Sequence, residues 1–257
     1  MGQYFRAIQQ KFWSAVMFYT IVPVPARWGQ DFVGIVRFAP GVGMMLGLGL
    51  GLLETGLQQG GMPNLTRCGL IVALWLGLTG GLHLDGAMDT ADGLAVGDPQ
   101  RRLAVMADSR TGAFGVMVAV VILGLKVLGL SEIDDSSRGL VLGLAAAWGR
   151  WGQWWAIAWD PYLKSEGKGA FHKLAMRSIW DAVPGALVLF SISGFVSLWD
   201  PTLMTLAWGL GLGGCGCALG IGRWLRCQLG GQTGDTYGAI VEWTEVAMIC
   251  LAAGLSP

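Results

Sequence analysis

Gly80-Gly81-Leu82-His83-Leu84-Asp85-Gly86-Ala87-Met88-Asp89-Thr90-Ala91-Asp92-Gly93-Leu94 sets three aspartates directly after a hydrophobic run. Steps of four and three residues put Asp85, Asp89 and Asp92 on one face of a helix, where three anions repel one another. A carboxylate inside a spanning helix costs about 2.5–3.5 kcal/mol at the bilayer centre and less near its edge. Three of them at the end of an apolar segment therefore call for a positive partner, and a hard divalent cation is the functional reading. Magnesium takes oxygen ligands, commonly a few carboxylates together with substrate phosphate. Asp85, Asp89, Asp92 and Asp108 are the candidate ligands. A solvated loop whose acids pair with Arg101, Arg102 and Arg110 is the plainer reading, and the helical rhythm of Gly86 and Gly93 among apolar neighbours argues against it.

The rest of the chain says what that helix belongs to. Of 257 residues 53% are hydrophobic and 13% charged, and the mean hydropathy is +0.54, well outside soluble composition. The expectation is an all-α polytopic membrane helix bundle forming one domain over residues 1–257. About seven transmembrane helices are expected, over 39–57, 68–82, 112–130, 139–159, 182–199, 203–222 and 238–255. Residues 4–22 are interrupted by Arg6, Gln9, Gln10 and Lys11, which reads as an N-terminal amphipathic helix in the membrane interface, ended by Pro23 and Pro25. No small-residue cleavage signal follows it, so it is read as retained. Gly43-x-x-x-Gly47-x-x-x-Gly51 reads as a close helix–helix contact; such faces permit a homodimer as easily as packing within one chain. The five cysteines have no zinc-like spacing and read as small apolar residues.

Lysine and arginine collect on the cytoplasmic side of short connections. Thirteen of the 17 fall on one side: Arg6, Lys11, Arg27, Arg37, Arg101, Arg102, Arg110, Lys164, Lys168, Lys173, Arg177, Arg223 and Arg226. Arg67 and Arg138 fall on the other, and Lys126 and Arg150 within spans. The aspartates, the 160–181 connection and the glycine-rich 230–238 run then share the cytoplasmic face and read as one site. The net charge is zero, and no nucleic-acid partner is expected.

Other residues carry chemistry in that frame. Arg110, in Asp108-Ser109-Arg110-Thr111-Gly112, is placed to hold a phosphate by its fork, or to anchor the interface. Gly231, Gln232, Thr233, Asp235 and Thr236 lie in a run whose backbone can approach a phosphate closely, although a plain turn has the same composition. Glu242 and Glu245, three apart, enter the last span on one face and are carried as further metal candidates. Arg150 points into the bundle, toward a polar substrate or toward Glu242 or Glu245. His83 is a candidate substrate contact without a catalytic role. Lys126 and Glu54 lie toward the outer ends, where they can snorkel.

Taken together, these motifs resemble the cobalamin synthases, the adenosylcobinamide-GDP ribazoletransferases of the bacterial inner membrane. The resemblance rests on Pro23-x-Pro25, Phe38-Ala39-Pro40-x-x-Gly43, Gly80 to Gly86 with Asp89 and Asp92-Gly93, Asp108-Ser109-Arg110-x-Gly112, and Gly230-Gly231-Gln232-Thr233-Gly234-Asp235-Thr236. Two departures stand out: Ala87-Met88 replaces a Leu-Ala pair, and Tyr237 stands where leucine is frequent. The resemblance implies that the lower-ligand riboside, or its 5′-phosphate, displaces GMP from a GDP-activated corrinoid. It also implies Mg²⁺ on the diphosphate held by Asp85, Asp89 and Asp92, with Asp108 or a neighbouring acid taking the proton of the riboside 5′-hydroxyl. The acids also resemble those of the CDP-alcohol phosphotransferases, without the Ala-Arg step of that motif. A divalent-cation transporter is the other alternative, against which stand the one-sided acids and the absence of repeated halves.

Overall fold

The computed structural model describes residues 2–29, 31–164, 172–173, 175–176 and 178–255; Lys168 and Arg177 of the charge count lie outside them. Among the described residues the chain forms ten α-helices, with short 3₁₀ turns and no strand. They are α1 (Gly2–Tyr19), α2 (Ala39–Gln59), α3 (Asn64–Leu78), α4 (Leu82–Ala95), α5 (Pro99–Val105), α6 (Ala113–Ser131), α7 (Asp135–Trp159), α8 (Val183–Trp199), α9 (Met204–Leu229) and α10 (Gly234–Leu255).

The chain is a multi-pass membrane protein. Among the described residues five helical segments are long and apolar enough to cross a bilayer: Ile35–Gln59, Ala113–Ser131, Trp180–Trp199, Pro201–Leu229 and Gly234–Leu255. The two other expected spans take different forms. Residues 68–82 do not make one straight helix, because α3 stops at Leu78 and α4 leaves it at 88°. Gly80 and Gly81 have φ of +60° and +69°, a left-handed conformation that glycine adopts without steric cost and that turns the chain. The aspartates thus stand on a separate helix. The other case is α7, whose 25 residues span about 37 Å but carry Arg138, Arg150, Gln153 and several tryptophans. It is the central helix, buried along most of its length, with α2, α9 and α10 packed around it.

Gly43, Gly47 and Gly51 form the tightest of these contacts. A Cβ at each would run into the α7 backbone at Ala146, Leu142 and Gly139 respectively, so the small-residue repeat works within the chain. On the other side of α2, α1 buries Ala15, Val16 and Tyr19 and leaves Phe5 and Ile8 exposed, as an amphipathic helix does.

Two charge networks lie inside the bundle, and both correct the expectation that Lys126 and Glu54 snorkel. Glu54, only 2% exposed, accepts hydrogen bonds from Arg67 Nε at 2.9 Å and Arg138 Nη1 at 2.7 Å, joining α2, α3 and α7. Lys126, 3% exposed, donates to Glu242 at 2.7 Å and Glu245 at 2.6 Å, and Arg150 Nη1 meets Glu245 at 2.9 Å. Two cations against two carboxylates leave no net charge to be desolvated, which is the condition for keeping ions at that depth.

Candidate active site

The site is made where α4 crosses α10. A Cβ on Gly86 would lie 2.6 Å from the Asp235 carbonyl oxygen, and one on Gly238 would lie 2.8 Å from that of His83. Only glycine at both places lets the helices come this close. Their approach sets Asp85 and Asp89 of α4 against Asp235 at the start of α10, and Asp85, Asp235 and Asp92 all press electrostatically on Asp89. Among the described residues Lys164 opposes them, 2.9 Å from Asp235. Its position comes from a short parallel bridge between Tyr162 and Gln232, in which Leu163 N–H donates to the Gln232 carbonyl and Gln232 N–H donates to that of Pro161, each at 2.9 Å.

Beside this crossing lies a cavity of about 260 Å³. His83 and Asp85 come from α4, Gln153 from α7, Tyr162, Lys164 and His172 from the connection after α7, and Asp235 and Tyr237 from α10. The aspartate helix, the 160–181 connection and the glycine-rich run thus meet at one place. The charged groups Asp85, Asp235 and Lys164 keep contact with solvent, whereas His83, Gln153, His172 and Tyr237 are buried. Several walls are aromatic. Tyr162 stacks on Tyr237 at 6.0 Å, and the edge of Phe18 meets His172 at 4.8 Å. Burial pushes the His172 imidazole down to about 4, so it is neutral at physiological pH.

The other expected site residues, Asp89 among them, lie outside the cavity lining in distinct environments. Asp92 accepts the N–H groups of Gly112 at 2.7 Å and Gly115 at 2.9 Å, tying α4 to the N-terminus of α6. Asp108 and Arg110 pair with each other at 2.7 Å on the surface and do not line the cavity. The Arg110 side chain and backbone N–H hold the Asp108 carboxyl down to about 2, which makes it a weak proton acceptor. Gly231, Gln232, Thr233 and Thr236 build the support. The Gly231 backbone is pressed on Pro161, and Gln232 Nε2 donates to Asp160 at 2.8 Å and to the Gly222 carbonyl at 3.0 Å. Thr233 and Thr236 cap α10 reciprocally, each hydroxyl accepting the other's backbone N–H, at 3.3 and 2.8 Å. Arg150, Glu242 and Glu245 belong to the buried network with Lys126, so the two glutamates spend their oxygens on cations of the fold.

Sequence reasoning left out Lys164, Gln153, Tyr162 and His172 as site residues. Gln153 carries a readable signal, since it follows Arg150 by three residues on the same face of the otherwise apolar stretch 139–159. Tyr162 and His172 have no such mark, because their place depends on the pairing of the connection with Gln232.

The donor set suits a hard cation in one limited way. Among the described residues no group of three or more His, Cys, Asp or Glu is arranged to hold a metal. Asp85 and Asp89, however, have no ion-pair partner among them, and two carboxylates plus substrate phosphate are what magnesium commonly uses.

Comparison with known proteins places the chain. Residues 11–253 match the family described as Cobalamin-5-phosphate synthase. The chain belongs to that family. A relative from Trichormus variabilis is 53% identical over 239 residues, 93% of this chain and 94% of its own length. Relatives from Synechococcus elongatus and Thermosynechococcus vestitus are 50% and 46% identical, covering 90% and 95% of this chain and 91% and 96% of their own. All three are named adenosylcobinamide-GDP ribazoletransferase. No solved structure matches. Residues 80–86 and 230–236 lead here into the two helices that meet at Gly86 and Gly238.

Proposed function

We propose that this chain transfers the corrinoid phosphoryl group of adenosylcobinamide-GDP to a riboside, releasing GMP, at the cytoplasmic face of a bacterial inner membrane. The observation that carries this reading is the family match across nearly the whole chain, joined to the meeting of its two longest motifs at one solvent-open cavity. A ribose hydroxyl oxygen forms a bond to the phosphorus that bears the corrinoid. The bridging P–O bond to GMP breaks, GMP leaves with that electron pair, and the hydroxyl proton passes to a carboxylate. The family description names a 5-phosphate product, in which the 5′ oxygen is already esterified. The attacking oxygen is therefore a different ribose hydroxyl from the 5′ group first expected.

Asp85 and Asp89 would hold Mg²⁺, which when bound offsets charge on the diphosphate. Lys164 stands where it can pair with a phosphate oxygen, with Asp235 fixing its position. The proton goes to a carboxylate oxygen at the cavity that is not committed to the cation, and Asp108, outside the cavity lining and held down by Arg110, is not used for it. Asp92 holds α4 to α6, fixing the helix from which Asp85 faces the cavity and Asp89 stands one turn further along. Purified chain in detergent, offered adenosylcobinamide-GDP and riboside in one arm and CDP-diacylglycerol with a lipid alcohol in the other, tests the reading by product mass. Cobamide with GMP is expected from the first arm alone; product only from the second would replace it with lipid head-group transfer.

A further inference from the structure

Three polar atoms on side chains that line the cavity are buried and have no hydrogen-bond partner among the described residues: His83 Nε2, Gln153 Oε1 and the Tyr237 hydroxyl. Leaving such groups unpaired is costly, so three around one cavity indicate a ligand that completes them. They come from α4, α10 and α7, so no local feature of one helix accounts for all three.

The shape of the site limits the ligand. The cavity, about 260 Å³, falls just below the usual range of ligand pockets, which begins near about 300 Å³, so it suits a fused-ring base and is too small for a corrin macrocycle. Its walls present aromatic rings of Phe18, Tyr162, Tyr237 and His172, surfaces on which a flat heterocycle stacks. The charged side chains Asp85, Asp235 and Lys164 are the more exposed ones, which places sugar and phosphate outward.

Resting on the transfer reading above, we propose that this cavity seats the heterocyclic base of a nucleoside, with Tyr237, Gln153 and His83 hydrogen-bonding its edge. Both the riboside and the guanosine end of the activated corrinoid supply such a base, so the test must separate them. Tyr237 is the informative position because its hydroxyl and its ring can be removed separately, by phenylalanine and then by leucine.

The experiment measures binding of free riboside and of GMP, each alone, to the full chain in detergent. It also measures KM and kcat for both substrates, in wild type, Tyr237→Phe, Tyr237→Leu and Gln153→Leu, each checked by its melting temperature. Removing one hydrogen bond predicts affinity for one nucleoside weakened about three- to tenfold in Tyr237→Phe, and more in Tyr237→Leu, which also loses the stacking ring. The KM of that substrate rises while kcat stays within about twofold, a split that mere loosening of the fold does not produce. A shift confined to the riboside assigns the cavity to the acceptor, and one confined to GMP assigns it to the leaving group. Unchanged binding of both in variants that melt like wild type overturns the proposal. Should wild type itself form no cobamide, the transfer reading fails instead, and the binding measurements still judge the base seat.

Discussion

Replacing Gly86 by alanine tests the crossing that makes the site. The added methyl would sit 2.6 Å from the Asp235 carbonyl oxygen and 3.0 Å from its Cα, both backbone atoms, whereas ordinary contact begins at 3.4 Å. Helices α4 and α10 must therefore separate by about 0.8 Å, carrying Asp85 and Asp89 away from Asp235 by a similar amount; misplacement near 1 Å costs about 100-fold in rate. Overpacking of this size also costs about 1–3 kcal/mol. The assay is cobamide formation together with thermal unfolding in the same detergent, with Gly220→Ala as control, since a Cβ there meets nothing within 4 Å. We expect Gly86→Ala to lose at least tenfold in turnover with a few degrees of melting temperature, and Gly220→Ala to change neither. Turnover within twofold of wild type in Gly86→Ala would refute the argument that this contact sets the carboxylate geometry.

Other predictions follow from the same structure. Asp89→Asn should melt like wild type and lose about 100-fold or more in transfer, whereas Asp108→Asn should stay within about threefold because its partner among the described residues is an exposed arginine; equal losses in the two would reverse their roles. Lys126→Met leaves Glu242 and Glu245 short of a buried cation and should destabilise by about 3–5 kcal/mol, partly recovered by adding Glu242→Gln; a neutral single variant would contradict the network. His172, at about 4 when folded and near 6.5 when unfolded, binds its proton more readily in the unfolded chain. Its contribution is complete above about pH 6.5 and shrinks as pH falls toward 4, by at most about 3 kcal/mol. Melting curves from pH 7 to 5 should therefore fall more steeply for wild type than for His172→Phe, and parallel curves would remove His172 as the cause.

How much of this was written legibly in the chain depends on whether a feature is local. The Gly43, Gly47 and Gly51 repeat announces close packing by its own spacing, and the structure supplies the partner, α7. The helical stacking of Asp85, Asp89 and Asp92 is likewise a property of neighbours in sequence. The break at Gly80-Gly81 was hidden because glycine pervades the spans of this chain, and only its φ distinguishes a hinge from a packing residue. Lys126 and Glu54 were misplaced for a different reason. Their partners stand on other helices, Glu242 at 116 residues from Lys126 and Arg138 at 84 from Glu54, so burial as ion pairs appears only once the helices are assembled. Thr233 and Thr236 illustrate a third kind, a polar glycine-rich run whose residues serve a helix cap while one of them, Asp235, reaches the cavity.

The most direct test of the central claim is a single-turnover measurement of GMP release and cobamide formation by purified wild type and Asp85→Asn, both saturated with adenosylcobinamide-GDP, riboside and Mg²⁺. Wild type should release one GMP for each cobamide formed, and the variant, folded and melting normally, should do neither at a measurable rate. Transfer by Asp85→Asn at the wild-type rate would contradict the assignment of chemistry to the α4–α10 crossing.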